Sequence, residues 1–207
     1  MRVAVFSDNF YHELGGIQDS LSTFGRHFAA RGHDIDFYVP SASAADYRIA
    51  RLPSQELDLG ERIRIFRFFS LHYPSPTHQS RAVIPTFLGW RALRRRMPDI
   101  LHTHTFFGMG LEALAAARLL KLPLVGTNHW AISEFSHYMP FPQDFFSRLS
   151  LGYVSWYYNH CDLVSAPSES VFAEMRDRGF TRPARVISNP IDTAIFKPLP
   201  LLKKREL

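Results

Sequence analysis

Short apolar runs alternate with helix-spaced patterns along this chain, and the alternation predicts an α/β fold: a doubly wound parallel sheet with helices on both faces. Two further observations support it. The first run, Val3-Ala4-Val5-Phe6, is continuously apolar, as in a buried strand. Glycine or proline stands at the joints, with Gly32, Pro40, Pro98 and Gly179 each closing a pattern. At 207 residues the chain suits one large domain with a substantial core.

The elements follow in order. After the strand at 3–6 comes a loop through Gly15-Gly16, then Ile17, Leu21, Phe24 and Phe28 at helical spacing, with Gly32 placed to end that helix. Residues 35–39 form a second strand, stopped by Pro40, and 41–60 read as polar and irregular. The run 63–68 alternates like a half-exposed strand. A Pro-containing loop from Tyr73 to Pro76 leads to a helix over 81–97, broken by Pro98. A strand at 100–102, an Ala/Leu helix at 109–121 and a strand at 124–127 come next. Asp144 is placed to cap a helix carrying Phe145, Leu149, Tyr153 and Trp156 on one side. The strand 163–166, a helix capped by Ser168 and ending near Gly179, and a last strand at 186–187 complete the pattern.

Composition narrows the class. Hydrophobic content of 46% and charged content of 21% are those of a soluble globular protein. The single cysteine, Cys161, excludes an intramolecular disulfide and a cysteine zinc cluster, and makes a reducing cytosol the default. The N-terminal apolar run turns polar too soon for a signal peptide, and no stretch approaches the roughly 20 apolar residues needed to span a bilayer. The net charge is +5, partly concentrated in Arg91, Arg94, Arg95 and Arg96. Such a cluster serves an anionic membrane, a nucleic acid or a phosphorylated ligand, or is simply a solvated helix end. No nucleic-acid-binding motif stands beside it, so a nucleic-acid partner is not expected.

In an open parallel sheet, ligands bind beyond the carboxyl ends of the strands. Three segments meet there. The first, residues 7–16, brings Gly15 and Gly16 to a helix entrance, where unpaired N–H groups can receive a diphosphate; a plain tight turn needs the same glycines. The second, residues 98–105, carries His102 and His104 on one side of a strand, with no third ligand at a spacing suited to zinc. His102 reads as a strand-end histidine with local partners, and His104, further into the crevice, as a ligand contact. The third, residues 126–130, places His129 just past a strand end, where it either donates to a sugar hydroxyl or developing oxyanion, or is a satisfied core histidine.

Together these segments resemble the N-terminal domain of a retaining glycosyltransferase of the GT-B fold, in the large family of mannosyl-, glucosyl- and sucrose-forming transferases. The landmarks occur in family order: the first strand leading to Gly15-Gly16, Pro98-Asp99 through His102 and His104, Thr127-Asn128-His129, Asp162 through Ser168-Glu169, and Val186 through Asn189-Pro190-Ile191-Asp192 with Phe196 and Pro198. The stretch from His102 to Tyr138 is most similar to transferases that glycosylate membrane lipids such as diacylglycerol. The resemblance implies a Rossmann-like half of a two-domain enzyme, with 1–187 as the acceptor-binding domain and 188–207 as the start of the linker and of a truncated C-terminal domain. It further implies that Gly15 and Gly16 contact the donor, that His129 bonds the transferred sugar near the reacting centre, and that Asn9, Tyr11, His104, Trp130 and Glu134 face the acceptor. Two departures stand out: His12 occupies a position where the family often has proline, and Pro190 replaces a common glycine.

The expected activity is therefore nucleotide-sugar-dependent hexosyl transfer to a sugar or lipid hydroxyl, with no metal and no other cofactor. The isolated chain is expected to be inactive, because the resemblance puts the nucleotide pocket in the C-terminal domain. The expected location is the cytoplasm or the inner face of the membrane, the 81–97 helix being either a core-packed helix with a solvated basic end or a docking element on an anionic bilayer. The rivals are a sugar-nucleotide epimerase of the same architecture and a non-catalytic ligand- or membrane-docking module.

Overall fold

The computed structural model describes residues 1–73, 80–130, 143–191 and 193. The elements are β1 (Arg2–Phe6), α1 (Gly16–Ala30), β2 (Asp34–Pro40), α2 (Ala44–Ile49), β3 (Ile63–Phe68), β4 (Leu71–His72), β5 (Arg81–Ala82), α3 (Trp90–Arg94), β6 (Ile100–Thr103), α4 (Gly108–Leu120), β7 (Leu124–Thr127), α5 (Gln143–Tyr158), β8 (Leu163–Ala166), α6 (Glu169–Arg176) and β9 (Ala184–Val186). Seven strands form one sheet in the order β3-β2-β1-β6-β7-β8-β9, and every pairing in it is parallel. A small antiparallel pair, β4 with β5, stands apart. The strand order reverses between β1 and β6, so the crevice beyond their carboxyl ends is the topological switch point.

Strand alternation sorts the core into two layers. Ala4, Phe6 and Leu101 face α4 and α5, whose Met109, Ala113, Tyr157 and Tyr158 complete that layer. Val5, Ile35, Phe37 and Val39 face α1 through Leu21. Gly25 lets α1 lie directly on the ring of Phe37, since a β-carbon there would meet that ring at 2.9 Å. On the α1 side, Val3 pairs with Ile100, Val5 with His102, His102 with Val125 and Val125 with Leu163. That row is half-buried, because α1 lies over β2 and β3 rather than over β6 to β8.

Several expectations need correction. The 81–97 helix shrinks to α3, with a strand at Arg81–Ala82 before it. Pro85 interrupts the pattern, Phe87 takes a φ of 57°, and the carboxylate of Glu112 claims the backbone N–H groups that a helix would need. It accepts from the N–H groups of Thr86 (2.5 Å), Phe87 (2.7 Å) and Gly89 (2.8 Å) and from the Thr86 hydroxyl (2.9 Å). Residues 41–60 are not wholly irregular: Ser43 and Asp46 form a capping box that starts α2. In α5 the expected inward face is partly outward, with Leu149 64% and Trp156 48% exposed, while Val154, Tyr157 and Tyr158 are buried. The helix begins at Gln143, so Asp144 lies inside its first turn rather than before it. Ser168 precedes α6 but pairs with Ser170 instead of capping the helix backbone. The last strand falls at Ala184–Val186 rather than 186–187.

Candidate active site at the sheet switch point

The loop from β1 to α1 is held rigidly. The Ser7 hydroxyl donates to Asn9 O (2.7 Å), and Asn9 Nδ2 donates to Glu13 Oε2 (2.8 Å). Asp8 Oδ1 accepts from the Met109 N–H (2.9 Å) and Oδ2 from Thr105 Oγ1 (2.6 Å), so a carboxylate from β1's end caps α4, which has no side-chain cap of its own. Burial pushes the Asp8 carboxyl up, and the Thr105 and backbone bonds offset part of that. Arg67 braces the loop from behind, donating to Tyr11 O (2.6 Å) and Pro40 O (2.8 Å) while its guanidinium lies 5.5 Å from the Phe10 ring centre. His12, at the family's proline position, is buried edge-on against Tyr47.

Gly15 and Gly16 then open α1 at the surface. No side chain caps this helix, and the first backbone acceptor recorded there belongs to Gly15, whose carbonyl takes the Asp19 N–H at 3.2 Å. The N–H groups of the first turn therefore point outward, unclaimed by the helix, with the positive end of its dipole behind them. A β-carbon on Gly16 would meet nothing within 4 Å, so a ligand can approach that backbone freely.

Facing this helix start is a run of imidazoles. His102 Nε2 pairs with Thr127 Oγ1 at 2.7 Å, and Thr127 Oγ1 with Ser165 Oγ at 2.7 Å, making a polar row across β6, β7 and β8. The His102 and His104 ring centres are 4.1 Å apart, and His104 Nδ1 lies 2.9 Å from His129 Nε2. Burial holds His102 and His129 at about 4 and His104 well below its ordinary value, so all three are neutral at physiological pH. On His129 the Asn189 side chain pulls weakly the other way, while its buried Nδ1 makes no hydrogen bond of ordinary length. Asn189 Oδ1 accepts from Ser20 Oγ of α1 at 3.3 Å.

A cavity of about 360 Å³ opens just past the ends of β1, β6 and β7, walled by Asp8, Asn9, Arg81, Phe107 and Trp130 among others. Phe107 and Trp130 meet edge to face at 6.2 Å, giving an aromatic wall opposite the polar groups. Among the described residues no group of three or more His, Cys, Asp or Glu side chains could hold a metal ion.

Residues 14–195 match the family model described as Glycosyltransferase Family 4. The chain belongs to glycosyltransferase family 4. It is 27% identical over 182 residues to a GDP-mannose-dependent alpha-mannosyltransferase of Corynebacterium glutamicum, covering 86% of this chain and 41% of that protein. It is 24% identical over 211 residues to an alpha-monoglucosyldiacylglycerol synthase of Streptococcus pneumoniae, covering 100% of this chain and 44% of that protein. The fold matches half of a sucrose-phosphate synthase from Thermosynechococcus elongatus, with a TM-score of 0.61 at 14% identity over 96% of this chain and 50% of that one. The chain thus spans less than half the length of these two curated relatives.

Within this family 4 domain, the site residues read from the sequence fall into three groups. Asn9 and Trp130 line the switch-point cavity, while Gly15 and Gly16 open α1 and His129 stands just past β7, outside the cavity's lining. His104 is buried behind His129 rather than open to an acceptor, and Tyr11 turns away, donating to Asp19 Oδ1 (2.5 Å) and lining a separate cavity with Ser22, Arg26 and Tyr47. Glu134 lies outside the described residues, as do Asp192, Phe196 and Pro198. Sequence reasoning passed over Asp8, Arg81 and Phe107. Asp8 carried a signal, a carboxylate directly past the first strand; Arg81 did not, because it reaches the crevice only through the β4–β5 pair.

Proposed function

We propose that this chain is the acceptor-side domain of a retaining, nucleotide-sugar-dependent hexosyltransferase. One observation supports the reading most strongly: a cavity lies at the switch point, walled by residues just past β1, β6 and β7, and Trp130 of its wall directly follows the neutral His129. The α1 N–H groups receive the anionic end of the donor without a metal. A neutral histidine N–H stabilises oxygen where negative charge develops, without first paying to discharge itself. Among the described residues, the carboxylates nearest the crevice are engaged elsewhere: Asp8 caps α4 and Glu13 accepts from Asn9 and Ser80 (3.3 Å). The acceptor hydroxyl therefore attacks on the face the diphosphate leaves. The rest of the donor site belongs to a second domain, a reading supported by the length of the relatives, so 1–207 alone does not turn over.

The acceptor is a lipid hydroxyl presented at an anionic membrane, on the cytoplasmic side. The relative that makes monoglucosyldiacylglycerol supports this, and so does the surface beside the cavity. Ile84, Phe87 and Leu88 are 59%, 51% and 46% exposed, on a loop that Glu112 fixes in place. Arg91 and Arg94 stack on Trp90 next to them, and Arg95 is exposed; Arg96 is set apart, donating to buried Asp36 at 3.0 Å. Among the described residues no helix is long and apolar enough to cross a membrane, so attachment is at the surface.

His129→Ala in the complete enzyme tests the catalytic reading. Losing one transition-state hydrogen bond costs about 3 kcal/mol, roughly a hundredfold in kcat. Near-normal turnover with the fold intact removes His129 from the site, and a collapse in Tm equal to the loss of activity makes it a core residue.

A further inference from the structure

We infer that His104 is a positioning residue: its Nδ1–H donates to His129 Nε2 and so fixes His129 as the tautomer protonated on Nδ1. The inference rests on the proposed role of His129 and specifies which of its two nitrogens acts.

The geometry leaves two arrangements. Both rings are neutral, so each carries one proton, and a contact of 2.9 Å between His104 Nδ1 and His129 Nε2 needs one donor and one acceptor. If His129 donates through Nε2, its Nδ1 carries a lone pair; if His104 donates, His129 Nδ1 carries the proton. The surroundings favour the second. Asn189 Oδ1 is already oriented as an acceptor by Ser20 Oγ, and the same side chain favours a proton on the His129 ring. In this structure His129 Nδ1 is buried and makes no hydrogen bond of ordinary length, so a proton there has Asn189 as its neighbouring protein acceptor. His104 is suited to the task because it is itself immobile. Its backbone N–H is fixed to Phe6 O at 2.9 Å, and its ring lies between His102 and His129, with centres 4.1 Å and 5.2 Å away. A ring so enclosed holds its partner's orientation and its proton together.

The consequence is chemical. A donor N–H aimed at an oxygen that gains charge stabilises the transition state more than the ground state, whereas a lone pair in the same place would oppose it. His104 therefore acts through His129 without touching the sugar.

The test reads the tautomer directly. The nitrogen shifts of isotope-labelled histidines, recorded on the folded chain at neutral pH, distinguish a protonated ring nitrogen from a lone pair. Wild type should show His129 protonated on Nδ1. His104→Leu should release it to the Nε2–H form or a mixture, and His104→Asn, whose amide nitrogen falls near the lost Nδ1, should restore it. In the complete enzyme, His104→Leu should lower kcat roughly ten- to hundredfold, the usual cost of losing the partner that orients a functional histidine, with KM little changed and recovery in His104→Asn. An Nε2–H His129 in wild type overturns the inference, even if His104→Leu fails to fold. So does a His129 tautomer unmoved in a folded His104→Leu. If the tautomer behaves as expected while His129→Ala turns over normally, the positioning holds and the catalytic reading of His129 falls.

Discussion

Acidification should loosen this fold through its histidines before it reaches most of its carboxylates. His102 and His129 are held at about 4 by burial, against 6.5 for a free histidine, and His104 is pushed down further by burial and by its two neighbours. Because the folded values are depressed, the unfolded chain takes up protons between about 6.5 and about 4 while the native rings do not. Stability is therefore complete above about pH 6.5, drains as pH falls through that window, and levels off below the folded values. A shift of this size is worth up to about 3 kcal/mol for His102, less for the more accessible His129, and the rings are too close for their effects to add. Against a total of about 5–15 kcal/mol, that is a large fraction.

Asp8 opposes the trend, because burial raises its carboxyl and acid relieves it. Asp46 and Glu56 are raised by burial but held low overall by their partners, Ser43 and Arg81 for the first and Arg67 for the second, so their losses come at lower pH. Comparison with His102→Gln isolates the ring, since glutamine can still reach Thr127 while removing the titration. Urea unfolding from about pH 7.5 to about pH 4.5 should show wild-type stability falling and the variant falling less, by up to about 3 kcal/mol. A flat wild-type profile, or equal slopes for the two proteins, would refute the account of three neutral buried imidazoles.

Two further outcomes follow from the packing and the surface. Anionic vesicles should bind the chain, release it in high salt, and lose it when Arg91, Arg94 and Arg95 become glutamine, each contributing about 1 kcal/mol near the surface; equal partitioning to neutral and anionic vesicles, or none to either, removes the membrane from the proposal. Gly126→Ala should lower stability by about 1–3 kcal/mol by overpacking, because its β-carbon would lie 2.7 Å from the Tyr158 ring and 3.0 Å from Cys161 Sγ; an unchanged Tm would mean that α5 can move off β7.

The sheet was legible because strands buried on both sides leave short, mostly apolar runs: 3–6 is wholly apolar, and 35–39, 124–127 and 163–166 are each broken by a single polar residue, Asp36, Thr127 and Ser165. Where the reading failed, a long-range contact had overridden a local pattern. Residues 81–97 carry apolar and basic residues at plausible helical spacing, yet Glu112 on α4 captures the backbone of 86–89 and turns it into a loop. Nothing within 81–97 announces a carboxylate so far along the chain. Pro85 did announce an interruption, and giving it weight would have shortened the helix. The capping box at Ser43 and Asp46 was equally visible, but a helix of six residues buries too little to show periodicity. On α5 the apolar residues cover more than one side, so sequence spacing alone left the buried face ambiguous.

The site divides along the same line. Gly15 and Gly16 at the start of α1, and His129 just past β7, could be placed along the chain from the strand and helix patterns alone. His104 could not be assigned correctly, because it sits at the same kind of position and differs only in depth. One register decides that difference. Val5 pairs with His102 and His102 with Val125, so β6 and β7 end side by side and the residues just past them must share one small space. His129 is the less buried of the two; His104, pinned to Phe6 O from β1, takes the inner place. Two histidines at like positions in two strands thus take different places, and the proposed roles follow that difference: His129 for the ligand, His104 for the orientation of His129. The same packing that makes them costly to protonate keeps each to a single proton, and it is the single proton that gives the pair a direction.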